Sequence, residues 1–146
     1  MTTEKINIKL TLSGRYWDNK PKYAVLLNDK EITRGVVNED SGEKFTVEFE
    51  EDLPEEVEHK LIVKFFDKTD YDTVENEDKT AILKDMLLNI ESLEFDGINV
   101  GELLWTNSEY FMHDGEYMKE CVNLGKNGEW VFKFSCPFYI WLLENM

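Results

Sequence analysis

The residues best suited to chemistry lie in the acidic connection between two predicted strands, His59–Phe66 and Leu87–Phe95. Four of the aspartates that flank or fill that connection are the candidates: Asp67, Asp70, Asp72 and Asp85. Proteins bind calcium with carboxylate and carbonyl oxygens gathered from loops of this kind. If the two strands are neighbours, these carboxylates would meet, and we predict a candidate calcium site completed by carbonyls or waters. The alternative is a solvated acidic loop whose aspartates cap turns.

Aromatic residues near predicted loops are the candidates for contact with a ligand. We select Trp17, Trp105 and Tyr110, because an exposed aromatic face can stack on a sugar ring or anchor a protein interface. The alternative for each is a place in the core with its polar end at the edge. Trp130, Phe132 and Phe134 alternate along one strand and are predicted to be core residues.

The chain shows no convincing catalytic motif, and we predict that it is not an enzyme. His59 begins a strand, and His113 lies beside Asp114 in a loop without a nucleophile or metalloprotease motif around it. No glycine-rich phosphate loop is present. A carboxylate pair for glycoside hydrolysis stays open as a weaker alternative, since the sequence does not give the separation between acids.

The elements that must position these residues are strands, because apolar residues alternate with period two along most of the chain. Lys5–Leu12, Lys44–Glu50 and His59–Phe66 are the clearest cases, and turn residues recur roughly every ten positions. We predict an all-β fold: a single antiparallel β-sandwich, jelly-roll-like, with residues 1–146 as one domain. The segment 138–146 is either a last strand or a helical tail, docked on its own body or on a neighbouring subunit.

Two further segments are predicted in more detail. Asp96-Gly97 is a tight turn before a strand Ile98–Leu104. Lys126-Asn127-Gly128-Glu129 is a hairpin turn between the strands Tyr117–Leu124 and Trp130–Phe134. This register places Cys121 and Cys136 one diagonal step apart, so we expect two free, buried thiols.

The charge restricts the classes of partner. The net charge is −15, with 31 acidic and 16 basic residues. Nucleic acid and anionic membranes are not expected as partners, because both need a basic surface. The N-terminal segment has no apolar signal region, and no apolar run reaches the ~20 residues of a spanning helix. We therefore expect a chain made and folded in the cytoplasm, or exported by a route that this sequence does not encode.

Part of the acidic connection resembles the calcium-dependent xylan-binding modules, which are small jelly-roll sandwiches. The resemblance lies in Asp85-Met86-Leu87-Leu88-Asn89-Ile90-Glu91-Ser92-Leu93, followed by Asp96-Gly97. It implies calcium as a cofactor and glycans as ligands. The sequence departs from that pattern at Met86 and Leu87, which replace an Arg-Asn pair, and at Lys68, which places a positive charge inside the candidate cation site.

A second resemblance covers Leu61 to the C-terminus and is to small β-sandwich virion proteins of T4-like tailed bacteriophages. It lies in Asp72-Thr73-Val74, Phe95-Asp96-Gly97-Ile98, the segment 104–110, and the ending from Leu124-Gly125-Lys126 through Pro137-Phe138 to Glu144. It implies a structural or adhesion role on a virion, with self-association or other virion proteins as partners. On this basis the expected function is a non-enzymatic virion component, and the alternative is a calcium-dependent carbohydrate-binding module.

Overall fold

The computed structural model describes residues 2–146, and the chain there is built almost entirely from antiparallel strands. In chain order they are β1 (Thr3–Arg15), β2 (Lys22–Leu27), β3 (Lys30–Val36), β4 (Lys44–Pro54), β5 (Glu58–Phe66), β6 (Val74–Glu75), β7 (Ile82–Lys84), β8 (Leu87–Phe95), β9 (Ile98–Asn99), β10 (Ser108–Met112), β11 (Tyr117–Lys119), β12 (Asn123–Leu124) and β13 (Gly128–Ser135). Two sheets pack face to face over a shared core. This arrangement confirms the predicted all-β, jelly-roll-like sandwich.

The first sheet has the order β12-β8-β1-β4, with β9 added beside β8. Strand β1 is central, and its alternation places Ile6, Ile8, Leu10 and Leu12 in the core with no exposed surface. Each such side chain contributes ~1.5–3 kcal/mol of burial free energy. Strand β4 pairs with β1 alone and forms one edge of this sheet.

The second sheet has the order β11-β10-β13-β5-β2-β3. Its centre is the pair β13 and β5, in which Gly128 lies opposite Phe65 and Ser135 opposite Glu58. Trp130, Phe132 and Phe134 are fully buried, as the alternation predicts. The prediction that His59–Phe66 is a central strand is also confirmed, because β5 pairs on both sides.

The structure differs from the sequence-based prediction in two segments. The Lys126–Glu129 turn does not join a hairpin, because β12 pairs with β8 in the first sheet while β13 pairs with β10 and β5 in the second. The loop between them therefore crosses from one sheet to the other. The expected strand Ile98–Leu104 stops at Asn99, whose side chain accepts a hydrogen bond from the Gly101 amide at 2.7 Å, and helix α1 (Leu103–Thr106) follows.

The C-terminal segment forms helix α2 (Phe138–Asn145). It packs on the sandwich of its own chain: Phe138 is 2% exposed, and its ring centroid lies 4.2 Å from the ring centroid of Phe95. The opposite face of α2 leaves Tyr139, Ile140 and Leu143 exposed. Neither α1 nor α2 has the length and apolar character of a membrane-crossing helix, and residues 2–146 contain no other candidate.

The two cysteines are free and buried, as predicted. Burial raises the pKa of the Cys121 thiol, and it raises that of Cys136 to about 11 with the help of nearby carboxylates. Both thiols are therefore protonated and unreactive at neutral pH.

Candidate functional site

The candidate site lies at the rim where several strands begin or end. Strands β1, β5 and β10 end there, and β2, β8 and β13 begin there, because antiparallel pairing places Lys22 opposite Phe66 and Arg15 opposite Leu87. The connecting loops leave a depression of about 580 Å³, which we call the rim cleft. Its lining comes from residues within 68–75, from Ile82 and Asp85, from residues 113–114 and from residues 125–127.

A partly buried ion pair lines the rim cleft. The Lys68 side chain is 10% exposed, and its Nζ lies 2.6 Å from Asp85 Oδ1 and 2.5 Å from the Gly125 carbonyl oxygen. Asp85 Oδ1 also accepts hydrogen bonds from Thr73 Oγ1 at 2.7 Å and from the Met86 amide at 2.8 Å. Burial acts to raise the pKa of Asp85, but these donors outweigh it and the pKa is lowered.

Loop 125–127 is fixed on both sides. Asn127 forms a reciprocal pair with the Lys68 backbone: its Oδ1 accepts from the Lys68 amide and its Nδ2 donates to the Lys68 carbonyl, both at 2.9 Å. The Tyr110 hydroxyl donates to the Lys126 carbonyl from inside the core. These contacts explain why the chain between β12 and β13 crosses the rim in one defined path.

Tyr110, selected from the sequence as a candidate for ligand contact, is buried, so the core alternative describes its position. The ring is 1% exposed, and burial raises the pKa of its hydroxyl. Its neighbour Glu109 points to the solvent side of β10 and pairs with Lys133, so period-two alternation turns Tyr110 inward. Tyr110 supports the rim cleft from below instead of offering a surface.

The structure separates the four predicted calcium ligands. The strands on either side of the acidic connection, β5 and β8, lie in different sheets, so they are not neighbours. Asp67 is exposed and pairs with Lys22 at 3.1 Å, Asp70 is exposed, and Asp85 pairs with Lys68. In residues 2–146 no group of three or more His, Cys, Asp or Glu side chains is placed to hold a metal ion.

The fourth of these aspartates, Asp72, is a structural residue. It is 2% exposed, and its Oδ2 accepts from the Thr69 amide at 2.8 Å while its Oδ1 accepts from Asn19 Nδ2 at 3.0 Å. The spacing of Thr69 and Asp72 is that of a capping box, and the residues between them form a 3₁₀ turn, Asp70–Asp72. Asp72 thus folds the loop, and both of its oxygens are occupied.

The loop that Asp72 folds presents an aromatic pair beside the rim cleft. Trp17 donates from Nε1 to the Asp72 carbonyl at 3.1 Å, and its ring lies 5.0 Å from that of Tyr71. The Tyr71 ring is 57% exposed, and its hydroxyl donates to Asp18 Oδ2 at 2.9 Å, which raises the pKa of Tyr71. The Lys84 ammonium lies 4.9 Å from the centre of the Trp17 ring. The pair is therefore held by hydrogen bonds from both of its members, with Tyr71 exposed and Trp17 partly buried.

Trp105 is exposed but lies elsewhere. It belongs to α1, which precedes the start of β10, whereas the rim cleft lies at the end of that strand. Its ring is 50% exposed and does not line the rim cleft. Of the three predicted aromatic contacts, Trp17 is the partly exposed one that binds the loop lining the cleft, through its hydrogen bond to the Asp72 carbonyl.

The two histidines have different positions: His59 is buried, and His113 lies at the rim. His59 is 2% exposed, with its ring nitrogens 3.1 Å from Asn28 Nδ2 and 2.8 Å from the Pro54 carbonyl. His113 is exposed in the rim cleft, next to Asp114. The Glu116 amide and the Lys126 ammonium, 3.3 Å from Asp114 Oδ2, lower the pKa of Asp114. Asp85 and Asp114 both stay ionised at neutral pH and are not proton donors there.

Comparison with known proteins gives a fold likeness and no sequence match. No family model and no curated protein sequence matches the chain. A structure described as vCBM60 in complex with galactobiose has a TM-score of 0.53, covering 86% of this chain and 96% of its own, at 9% identity. A selenomethionine form of vCBM60, described in connection with two families of calcium-dependent carbohydrate binding modules, has a TM-score of 0.52, covering 87% and 89%, also at 9% identity.

At this identity the likeness establishes the fold. It agrees with the resemblance to sugar-binding modules seen around Asp85, and it gives no support to the resemblance to virion proteins.

Two residues of the site were missed from the sequence. Tyr71 carried a signal, since a large aromatic ring stood between two aspartates in a polar loop. Lys68 was noted only as a residue unfavourable to calcium, because its partners lie 17 and 57 positions away in the chain.

Proposed function

We propose that this protein is a non-enzymatic carbohydrate-binding module that binds a neutral glycan at the rim. The observation that carries the proposal is that the loop folded by Asp72 lines part of the rim cleft and also holds the Trp17–Tyr71 aromatic pair. Sugar rings present apolar faces that stack on aromatic rings, and hydroxyls that bond to carboxylates and amides. The sugar-binding structures of similar fold support the same class of ligand.

The charge distribution of the rim cleft supports a neutral ligand. Lys68 and Lys126 are both engaged by carboxylates, at 2.6 Å from Asp85 and 2.8 Å from Glu116 respectively. The acidic net charge of −15 opposes the approach of an anionic polymer. Ligand hydroxyls are therefore the groups we expect the lining to bind.

The state of two of the cleft carboxyls supports binding without hydrolysis. A glycosidase needs one carboxylic acid that stays protonated near neutral pH, so its pKa must be raised. Asp85 and Asp114 have lowered pKa values because ammonium and amide groups donate to them. We propose that they orient the loops and accept hydrogen bonds.

A glycan array and two alanine variants test the proposal. The wild-type protein should bind neutral oligosaccharides, with galacto- and xylo-oligosaccharides as the first probes, and Tyr71→Ala should weaken the affinity about tenfold, which is ~1.4 kcal/mol. Trp105→Ala is the matched control, because it removes a similarly exposed aromatic side chain that lies on α1, away from the Trp17–Tyr71 pair. No binding to any glycan, or equal affinities for the two variants, would show that the proposal is wrong.

A further inference from the structure

One structure of similar fold is described in connection with calcium-dependent modules, which raises the question whether calcium binds here. The rim residues do not fit a calcium ion. Calcium takes six to eight oxygen ligands at 2.3–2.6 Å. Asp85 Oδ1 already accepts three hydrogen bonds, including one from an ammonium group at 2.6 Å. In the described part of the chain, no buried side-chain nitrogen or oxygen lacks a hydrogen-bond partner. Asp85 Oδ1 is therefore already occupied, and residues 2–146 contain no group of three or more His, Cys, Asp or Glu side chains placed to hold a divalent ion.

The group in contact with these oxygens is the ammonium of Lys68. It is bound by the Asp85 carboxylate at 2.6 Å and the Gly125 carbonyl at 2.5 Å, which are the two kinds of oxygen that hard cations prefer. The side chain is 10% exposed, so its charge is largely removed from water and depends on these partners.

We propose that the Lys68 ammonium is the built-in cation of the rim, and that it holds the rim cleft together without a metal ion. It joins three segments that are far apart in the sequence: the loop after β5, the start of β8 and the loop between β12 and β13. For ligand binding, the consequence rests on the proposed function: glycan binding at the rim is independent of calcium.

The geometry explains why the ammonium keeps its place. The Lys68 backbone is fixed by the reciprocal pair with Asn127, so its side chain starts from a defined position. One positive charge meets one carboxylate, which leaves the pair neutral. A divalent ion would have to displace the ammonium and leave it beside a second positive charge in a partly buried site.

Thermal unfolding with and without calcium tests whether the Lys68 ammonium holds the rim cleft together without a metal ion. The Tm of the wild-type protein should be the same in EDTA and in millimolar calcium, because a ligand that binds only the folded state raises Tm. Lys68→Met keeps the length of the side chain and removes the charge, and we expect Tm to fall by about 5 °C. Asp85→Asn should also lower Tm, and the double variant should lose less than the two single losses added together, since it leaves no charge unpaired.

Two results would overturn the inference: a calcium-dependent rise in the wild-type Tm that Asp85→Asn removes, or additive losses in the double variant. If the variants fail to fold, the wild-type comparison still decides. Chelation should also leave the affinity for any bound glycan unchanged, and a loss on adding EDTA would contradict us. A protein that binds no glycan but shows no calcium response would refute the proposed function alone.

Discussion

Replacing Asp72 with alanine should loosen the loop that carries Tyr71 and Asp70. The change removes the acceptor of the Thr69 amide at 2.8 Å and of Asn19 Nδ2 at 3.0 Å. It also leaves a gap where a side chain only 2% exposed was packed. The backbone carbonyl that Trp17 contacts would then lose its fixed position.

The size of the effect follows from these contacts. A hydrogen bond to a charged acceptor contributes ~1.5–3 kcal/mol to stability. Asn19 and Thr69 are exposed residues, so their donors regain water and only part of that energy is lost. We therefore expect Asp72→Ala to lower the free energy of unfolding by about 2 kcal/mol, or Tm by roughly 4–8 °C.

Urea unfolding followed by circular dichroism measures this change, with Asp70→Ala as the matched control. Asp70 lies in the same 3₁₀ turn but is exposed, so its loss should stay within about 0.5 kcal/mol. The capping role would be refuted by equal losses for the two variants, or by a loss for Asp72→Ala that occurs only in the presence of calcium.

Two further predictions concern the C-terminal helix and the acid side of the stability curve. Phe138→Ala should lower the free energy of unfolding in urea by ~3–5 kcal/mol, because its ring centroid lies 4.2 Å from that of Phe95 in the core. Tyr139→Ala, on the exposed face of α2, should lower it by less than ~0.5 kcal/mol. Similar losses for the two variants would mean that the helix does not dock on its own chain. The pKa of Asp85 is lower in the folded protein than its ordinary value of 3.8. Its pairing therefore stabilises the fold at pH values above 3.8, and this stabilisation is lost as the pH falls through the lower pKa of the folded state. The difference in unfolding free energy between wild type and Lys68→Met should therefore be constant from neutral pH to about pH 5 and shrink in stronger acid; a difference that grew in acid would contradict the assignment.

The strands could be predicted from the sequence because alternation directly encodes which face is buried. Ile6 to Leu12 in β1 and Trp130 to Phe134 in β13 are examples, and both lie in the core as expected. The same rule also predicts that Tyr110 is buried, because the charged side chain of Glu109 faces solvent and neighbouring residues of a strand lie on opposite faces.

Strand partners could not be predicted in the same way. Alternation is the same whether Leu124 pairs with β13 or with β8, and the tertiary contacts of Asn127 decide between them. For the candidate site, the sequence directed attention to the loop after Phe66, which lines part of the rim cleft. The Thr69-x-x-Asp72 spacing was a signal for a cap, not for a ligand. The partners of Lys68 depend on which loops share a rim, which is a property of the whole fold.

The free edge of the first sheet has a consequence for how copies of this protein meet. Strand β4 is eleven residues long and pairs on one side only, so its other side could accept a strand from a second copy. Four carboxylates lie close together along it, Glu48, Glu50, Glu51 and Asp52, and within residues 2–146 ion pairs with Lys5 and Lys30 engage only Glu50 and Glu51 among them. Two copies aligned edge to edge would bring these like charges together, which opposes the growth of an extended intermolecular sheet at neutral pH. Acid or high salt would weaken this electrostatic protection against aggregation, even in conditions where the sandwich itself stays folded.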